Sequence, residues 1–192
     1  MPTVYIIAGP PGVGKSTNTK KVLPENIDTL NHDKLNAEYK YRQVVDYEER
    51  ANLKANAFIK EKLLLNVDFD VKLNLGFEGH YDFINWVRKF YPNYTIQVIL
   101  FFTDDIQLCL DRAYLRQLAG GHTVEPDIVK RMYQNTISLL MANIQKINYL
   151  QFIHADYNSN ELVYSGYYPT RKIDFVHENL PDWVKKGFPK IG

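Results

Sequence analysis

Residues 9–17 read GPPGVGKST, directly after the apolar run VYIIA. The pattern Gly9-x-x-x-x-Gly14-Lys15-Ser16 has the residue types and spacing of a phosphate-binding loop. Glycines permit positive φ, so successive backbone N–H groups can turn inward toward an anion. A helix N-terminus at the end of the loop adds its own preference for negative charge. Gly9, Pro10, Pro11, Gly12, Val13, Gly14, Lys15, Ser16 and Thr17 are therefore the expected nucleotide-binding residues. Lys15 is expected to reach the β- and γ-phosphates, and the Ser16 hydroxyl to ligate Mg²⁺. The competing reading is a glycine-rich turn with an incidental lysine. The buried strand before the loop and the helix after it favour phosphate binding.

Three further places have the chemistry for a transfer reaction. Asp33, in LNHDKLN, follows a short strand, and ligands of open α/β sheets bind beyond the C-terminal ends of strands. A carboxylate there can take the proton from an attacking hydroxyl; the alternative is a helix cap or a solvated charge. Glu78 is expected to end the third strand, where it can orient a metal's water shell, hold a substrate hydroxyl, or be no more than a charge at a strand exit. Arg112 and Arg116 lie four residues apart, so they share one helix face. The Gly120-Gly121 pair follows, and Arg131 lies one turn inside the next helix. Arginines on both sides of a flexible turn can close over a triphosphate; a surface salt-bridge face is the plainer reading. His122 falls in the same turn.

These groups need a scaffold that brings them together. TVYIIA reads as a parallel strand buried on both faces. A helix follows over residues 15–23, stopped by Pro24. A second short strand ends near Asn31. A long helix spans residues 46–65, with Tyr47, Ala51, Ala55, Phe58, Ile59 and Leu63 at helical spacing. DVKLNLGFE is the third strand, YTIQVILFF the fourth and YLQFIHA the fifth. Phe83, Trp86, Val87 and Phe90 mark a helix between the third and fourth. Thr103 is the expected cap of the helix running to Ala119, with Asp104 and Asp105 in its first turn. Pro126 opens the next helix. The pattern predicts an α/β fold: a three-layer P-loop NTPase/kinase arrangement with a mostly parallel five-stranded sheet and a helical lid. One domain is expected over residues 1–192, with the lid at about 112–131 and small edge elements at about 158–192.

Composition narrows the partners. Lys plus Arg is 23 against 22 for Asp plus Glu, a net charge of +1, so there is no broad basic field to hold nucleic acid. The single cysteine, Cys109, excludes an internal disulfide. No run is long and apolar enough to span a bilayer, and no charged leader precedes the first strand. A cytoplasmic enzyme is expected.

The segments YIIAGPPGVGKST, LNHD, FE and DRAYLRQLAGGHTVEPDIVKRMY resemble the zeta-toxin-like P-loop kinases, over roughly residues 3–157. The lid segment is the more specific part of the likeness. The resemblance implies ATP and Mg²⁺ as cofactors, Lys15 and Ser16 as their ligands, and Asp33 as the base. It implies Glu78 near substrate and metal, and Arg116 and Arg131 as charge-neutralising arginines with Arg112 beside the nucleotide. It further implies transfer of the γ-phosphate to a hydroxyl of a small molecule such as UDP-N-acetylglucosamine, and an antitoxin-like protein partner. Two positions depart from the family. Gly79-His80 stand where threonines follow FE, placing His80 against the acceptor, and His32 replaces a small residue. The ATP half of the site is thus better supported than the acceptor half. Two other readings remain: a nucleotide-binding module without transfer activity, and a polynucleotide 5′-hydroxyl kinase, which the neutral charge opposes.

Overall fold

The apolar run at the N-terminus forms β1 (Thr3–Ala8), and both of its faces are buried. Val4, Ile6 and Ala8 join one core cluster, while Tyr5 and Ile7 join another on the opposite side of the sheet. Such a strand belongs at the centre of a sheet covered by helices on both sides. In the computed structural model it does lie there. The structure describes residues 1–30, 32–121, 123–168 and 170–189; the side chains of Asp33 and Lys34 also lie outside that description.

The elements follow in the order α1 (Lys15–Val22), β2 (Asp28–Thr29), α2 (His32–Tyr41), α3 (Tyr47–Leu65), β3 (Phe69–Lys72) and α4 (Asp82–Phe90). Then come β4 (Thr95–Phe102), α5 (Ile106–Leu118), α6 (Pro126–Asn143), β5 (Tyr149–Ala155), β6 (Asn160–Tyr167), β7 (Lys172–Val176) and α7 (Asp182–Gly187). The sheet order is β2-β3-β1-β4-β5-β6-β7. The first five strands in that order are parallel, and β6 and β7 add antiparallel. The chain leaves β1 toward β3 on one side and β4 on the other, so the C-terminal end of β1 is a topological switch point.

Five parallel strands are as expected, but the sheet has seven. The edge residues of the C-terminal segment complete it as β6 and β7. A helix missing from the sequence reading, α2, fills residues 32–41. Only Leu35 of it is among the buried apolar residues, so its periodicity is faint. The third strand is shorter than expected. The two segments stay bonded past the strand's end, Leu73 N donating to Ile7 O at 3.1 Å and Gly9 N to Asn74 O at 3.4 Å. Leu75, fully buried at φ 55°, then turns the chain away. Glu78 consequently opens a 3-10 turn (Glu78–Tyr81) rather than ending a strand.

The cap of α5 also differs. Asp105 is the N-cap, accepting from Gln107 N at 2.8 Å, while Thr103 Oγ1 accepts from Asp105 N. Asp104 is drawn off to the C-terminal helix, where its carboxylate accepts from Asp182 N and Trp183 N at 3.0 and 2.7 Å. That contact seats α7 on the core. Among the described residues no helix is long and apolar enough to cross a membrane.

Trp183 is 6% exposed and its ring lies 5.3 Å from both Phe102 and Phe152. Trp183→Ala is expected to cost about 3–5 kcal/mol of stability in urea denaturation, by transfer and cavity terms together. A loss below about 1 kcal/mol would show that α7 is not part of the cooperative core.

Candidate active site

The loop after β1 is shaped by two close backbone approaches. A Cβ on Gly9 (φ 130°) would lie 2.1 Å from the carbonyl oxygen of Phe101 at the end of β4. A Cβ on Gly12 (φ 83°) would lie equally close to the carbonyl oxygen of Cys109 in α5. Val13 is fully buried and plugs the loop into the core beneath it. Gly14 then N-caps α1 with no side-chain cap bond, leaving the helix N-terminus to the loop. Lys15 Nζ donates to the carbonyls of Gly9 at 2.6 Å and Pro10 at 2.9 Å, tying helix to loop. Asn18 Nδ2 closes the turn on Gly14 O at 3.0 Å. Ser16 and Thr17 stand exposed in the first turn of α1.

A cavity of about 690 Å³ opens over this loop, and Pro11, Gly12, Gly14, Lys15, Ser16 and Thr17 form its floor. Sheet order decides its two walls. His32, Lys72 and Asn74 come from the β2–β3 side of the loop, and Arg112, Arg116, Val124 and Asn160 from the β4–β5 side. Among the described residues the lining has four cationic side chains, Lys15, Lys72, Arg112 and Arg116, and no carboxylate. A cavity of one sign concentrates field on an anion.

On the β4–β5 side, Arg112 donates to Asp156 O at 2.7 Å and Tyr157 O at 3.1 Å, binding α5 to the turn between β5 and β6. Tyr157 returns the contact through its hydroxyl, which donates to Asp111 at 3.0 Å. Arg116 lies one turn further along; its Nε is buried without a hydrogen-bond partner among the described residues. A buried donor left unmade costs free energy, which an anionic ligand would recover.

Three of the expected site residues lie away from the cavity lining. Arg131, in α6, is exposed and stacks 5.4 Å over the Phe77 ring, outside the cavity lining. Glu78 is exposed, and neither it nor His80 lines the cavity. His80 Nδ1 accepts from Phe77 N at 3.2 Å and its ring lies 5.5 Å from that of Phe77. Burial first, and then the positive charge of Lys15, hold the His80 imidazole below its ordinary value. Asp33 sits in the first turn of α2, just past β2, and its side chain lies outside the described residues. His122 likewise lies outside them.

Lys72 and Asn74 were absent from the sequence reading. The signal for them was present: Asp70 and Lys72 alternate in a strand otherwise buried and apolar. Asp70 is 1% exposed and its nearest cation is Lys72 Nζ at 3.6 Å; among the described residues neither oxygen has a partner within hydrogen-bond distance, although Thr29, Lys72 and its own backbone stand near enough to favour the charged form. Burial pushes its carboxyl above the ordinary 3.8, with Lys72 opposing.

No protein-family model and no curated sequence matches the chain. Its likeness is to solved folds. It resembles a chain of the AvrRxo1-ORF1:AvrRxo1-ORF2 complex solved with ATP, at 14% identity and TM-score 0.71 over all of this chain and 63% of that one. The same complex with sulphate ions gives 13% identity and TM-score 0.65, over 86% and 58%. A chain of the PezAT chromosomal toxin–antitoxin system of Streptococcus pneumoniae gives 12% and 0.62, over 99% and 84%. A chain of the Pnkp1/Rnl/Hen1 RNA repair complex gives 17% and 0.57, over 73% and 46%. The chain thus spans about three fifths of the AvrRxo1 chains. The likeness bears out the expected α/β fold with a mostly parallel sheet, which these chains share.

Because the native Asp70 carboxyl titrates above 3.8, the folded state holds a proton there that the unfolded chain has lost. Stability contributed by this group therefore rises as pH falls from above the raised value toward 3.8. Asp70→Asn removes the ionisable form. The melting-temperature gain of Asp70→Asn over wild type should be largest at neutral pH and shrink through that window. A difference independent of pH would contradict the buried-carboxylate account.

Proposed function

We propose that this chain is an ATP-dependent phosphotransferase that moves the γ-phosphate to a hydroxyl of a small molecule. The observation that carries the reading is the phosphate loop at the sheet's switch point, flooring a cavity of about 690 Å³ whose charged side chains, among the described residues, are all cationic. A triphosphate is the ligand that loop, helix N-terminus and basic walls together fit.

In this reading the backbone of residues 9–17 cradles the phosphates. Lys15 leaves its loop carbonyls for the β- and γ-oxygens. Arg112 lies beside the nucleotide, at the α1 end of the cavity. Arg116 gives its unpaired donor to the triphosphate and neutralises charge developing at transfer. Arg131 joins it when the joint between α5 and α6 closes, so residues 112–131 act as a lid on the single domain of residues 1–192. Asp33 takes the proton of the acceptor hydroxyl, and Glu78 and His80 contact the acceptor, His80 as a neutral imidazole at pH 7.

The donor set fits Mg²⁺. Ser16 supplies one exposed hydroxyl in the first turn of α1, and among the described residues no group of three His, Cys, Asp or Glu could enclose a metal. Mg²⁺ characteristically takes few protein ligands and fills its shell with water and phosphate oxygens. When bound it supplies charge neutralisation between the β- and γ-phosphates.

The acceptor class proposed first is a nucleotide sugar such as UDP-N-acetylglucosamine. A 5′-hydroxyl polynucleotide acceptor gains support from the fold's likeness to the RNA repair complex and loses it to the net charge of +1. An antitoxin-like protein partner is proposed from the likeness to chains of two-protein systems.

Asp33→Asn keeps shape and removes basicity. Once a metabolite screen has identified the acceptor, the variant is expected to bind ATP like wild type while transfer falls about 10²–10⁴-fold. Transfer at the wild-type rate would remove Asp33 from the mechanism and make Glu78 the next base to test.

A further inference from the structure

Two polar residues in β3 are left over from the reading above. Asp70 and Lys72 are two apart in a strand, so they project from the same face of the sheet. Their partners across the ladder are Tyr5 and Ile7, which belong to the core cluster beneath the loop and α5. The Asp70 side chain is fully buried, while Lys72 keeps 17% of its side chain exposed and lines the cavity. A buried carboxylate with only long contacts to its neighbours, under a lysine, is a costly arrangement if its purpose is stability alone. It does hold the lysine side chain at the cavity wall.

The position of that lysine follows from backbone register. Lys72 is paired with Ile7, two residues before the loop, and Asn74 O accepts from Gly9 N at 3.4 Å. Gly9 and Pro10 are also the residues whose carbonyls hold Lys15 Nζ. Lys72 therefore enters the cavity at the start of the loop, on the Lys15 side. Arg112 enters at the other end, where its guanidinium lies 3.5 Å from the position of a Cβ on Gly14. A phosphate-loop lysine serves the β- and γ-phosphates, while the backbone N–H groups of the loop also cradle those nearer the nucleoside. The end that Lys72 occupies is thus the γ end.

We propose that Lys72 is a γ-phosphate-binding residue, reaching the donor from the β3 wall opposite the lid arginines, with Asp70 as the residue that positions it. The proposal rests on the phosphotransferase reading above. In the transfer step the acceptor oxygen bonds to the γ-phosphorus and the bond to the β,γ-bridging oxygen breaks. ADP leaves with that electron pair, and the acceptor's proton passes to the base. Lys72 neither gains nor loses a bond; it offsets negative charge on the γ-oxygens throughout, complementing Lys15 and Arg116.

Binding tests this without knowledge of the acceptor. Calorimetry would compare ATP–Mg²⁺ with ADP–Mg²⁺ for wild type, Lys72→Met, Lys72→Arg, and the double variant Asp70→Asn/Lys72→Met, which leaves no buried charge unpaired. Circular dichroism confirms that each is folded. Loss of one charge-assisted contact to the γ-phosphate should weaken ATP about tenfold and leave ADP unchanged. The same loss is expected in the double variant, and Lys72→Arg should recover part of the preference for ATP. Equal weakening of ATP and ADP, or none, in the folded double variant would overturn the assignment and leave Lys72 as a structural partner of Asp70. Wild-type protein that binds neither nucleotide would instead defeat the phosphotransferase reading itself, and the γ-phosphate role with it.

Discussion

The close approach of the phosphate loop to two carbonyl oxygens, those of Phe101 and Cys109, is the constraint on which the site depends. The contact at Gly9 presses the loop against the end of β4, and the contact at Gly12 presses it against α5. No side chain fits at either point. The loop can therefore keep its shape only while β1, β4 and α5 keep their spacing. That spacing is set by the core cluster of Ile7, Val13, Ile99, Phe101, Leu108 and Cys109, all fully buried. Loop geometry and core packing are one structure here. Burial of the Cys109 thiol pushes it up to about 12, which agrees with a packing role for that residue rather than a redox one.

Sheet order distributes the chemistry around that loop. Everything reached by way of β2 and β3, from His32 to Asn74, arrives on one side. Everything reached by way of β4 and β5, from Arg112 to Asn160, arrives on the other. Arg112 does a second job by fastening α5 to the turn between β5 and β6. It is therefore anchored, whereas Arg116, one turn nearer the joint with α6, keeps a donor without a partner among the described residues. A closing lid would hinge beyond Arg112 and carry Arg116 and Arg131 with it. Arg131 stacks on the Phe77 ring, which in turn packs against His80, so the helix proposed to belong to the lid already touches the turn proposed to meet the acceptor.

The parts legible in the sequence were those written as continuous patterns. Strands buried on both faces show unbroken apolar runs, and the loop shows its glycines and lysine at fixed spacing. These place β1, β4, β5 and the floor of the cavity. The parts that escaped depend on tertiary context. The helix α2 buries little apolar surface, so its residues carry a weak period. Whether Thr103 or Asp105 caps α5 turns on α7, 77 residues beyond Asp105 in the chain, claiming Asp104. The end of β3 is decided by a buried left-handed leucine at position 75, which no local propensity predicts. Lys72 looked like an ordinary strand residue until the register set it beside the loop. Gly79-His80, the departure from the family pattern, fall in the 3-10 turn that replaces the expected end of the strand.

The central claim is that the loop of residues 9–17 grips the phosphates of ATP. Titration calorimetry with ATP–Mg²⁺ on wild type and Lys15→Ala tests it most directly, with circular dichroism to verify that the variant is folded. The account predicts saturable binding by wild type and a loss of about thirtyfold or more in the variant, as for removal of one partner from a hydrogen-bonded charge pair. Equal affinity in the two folded proteins, or no binding by wild type, would contradict it.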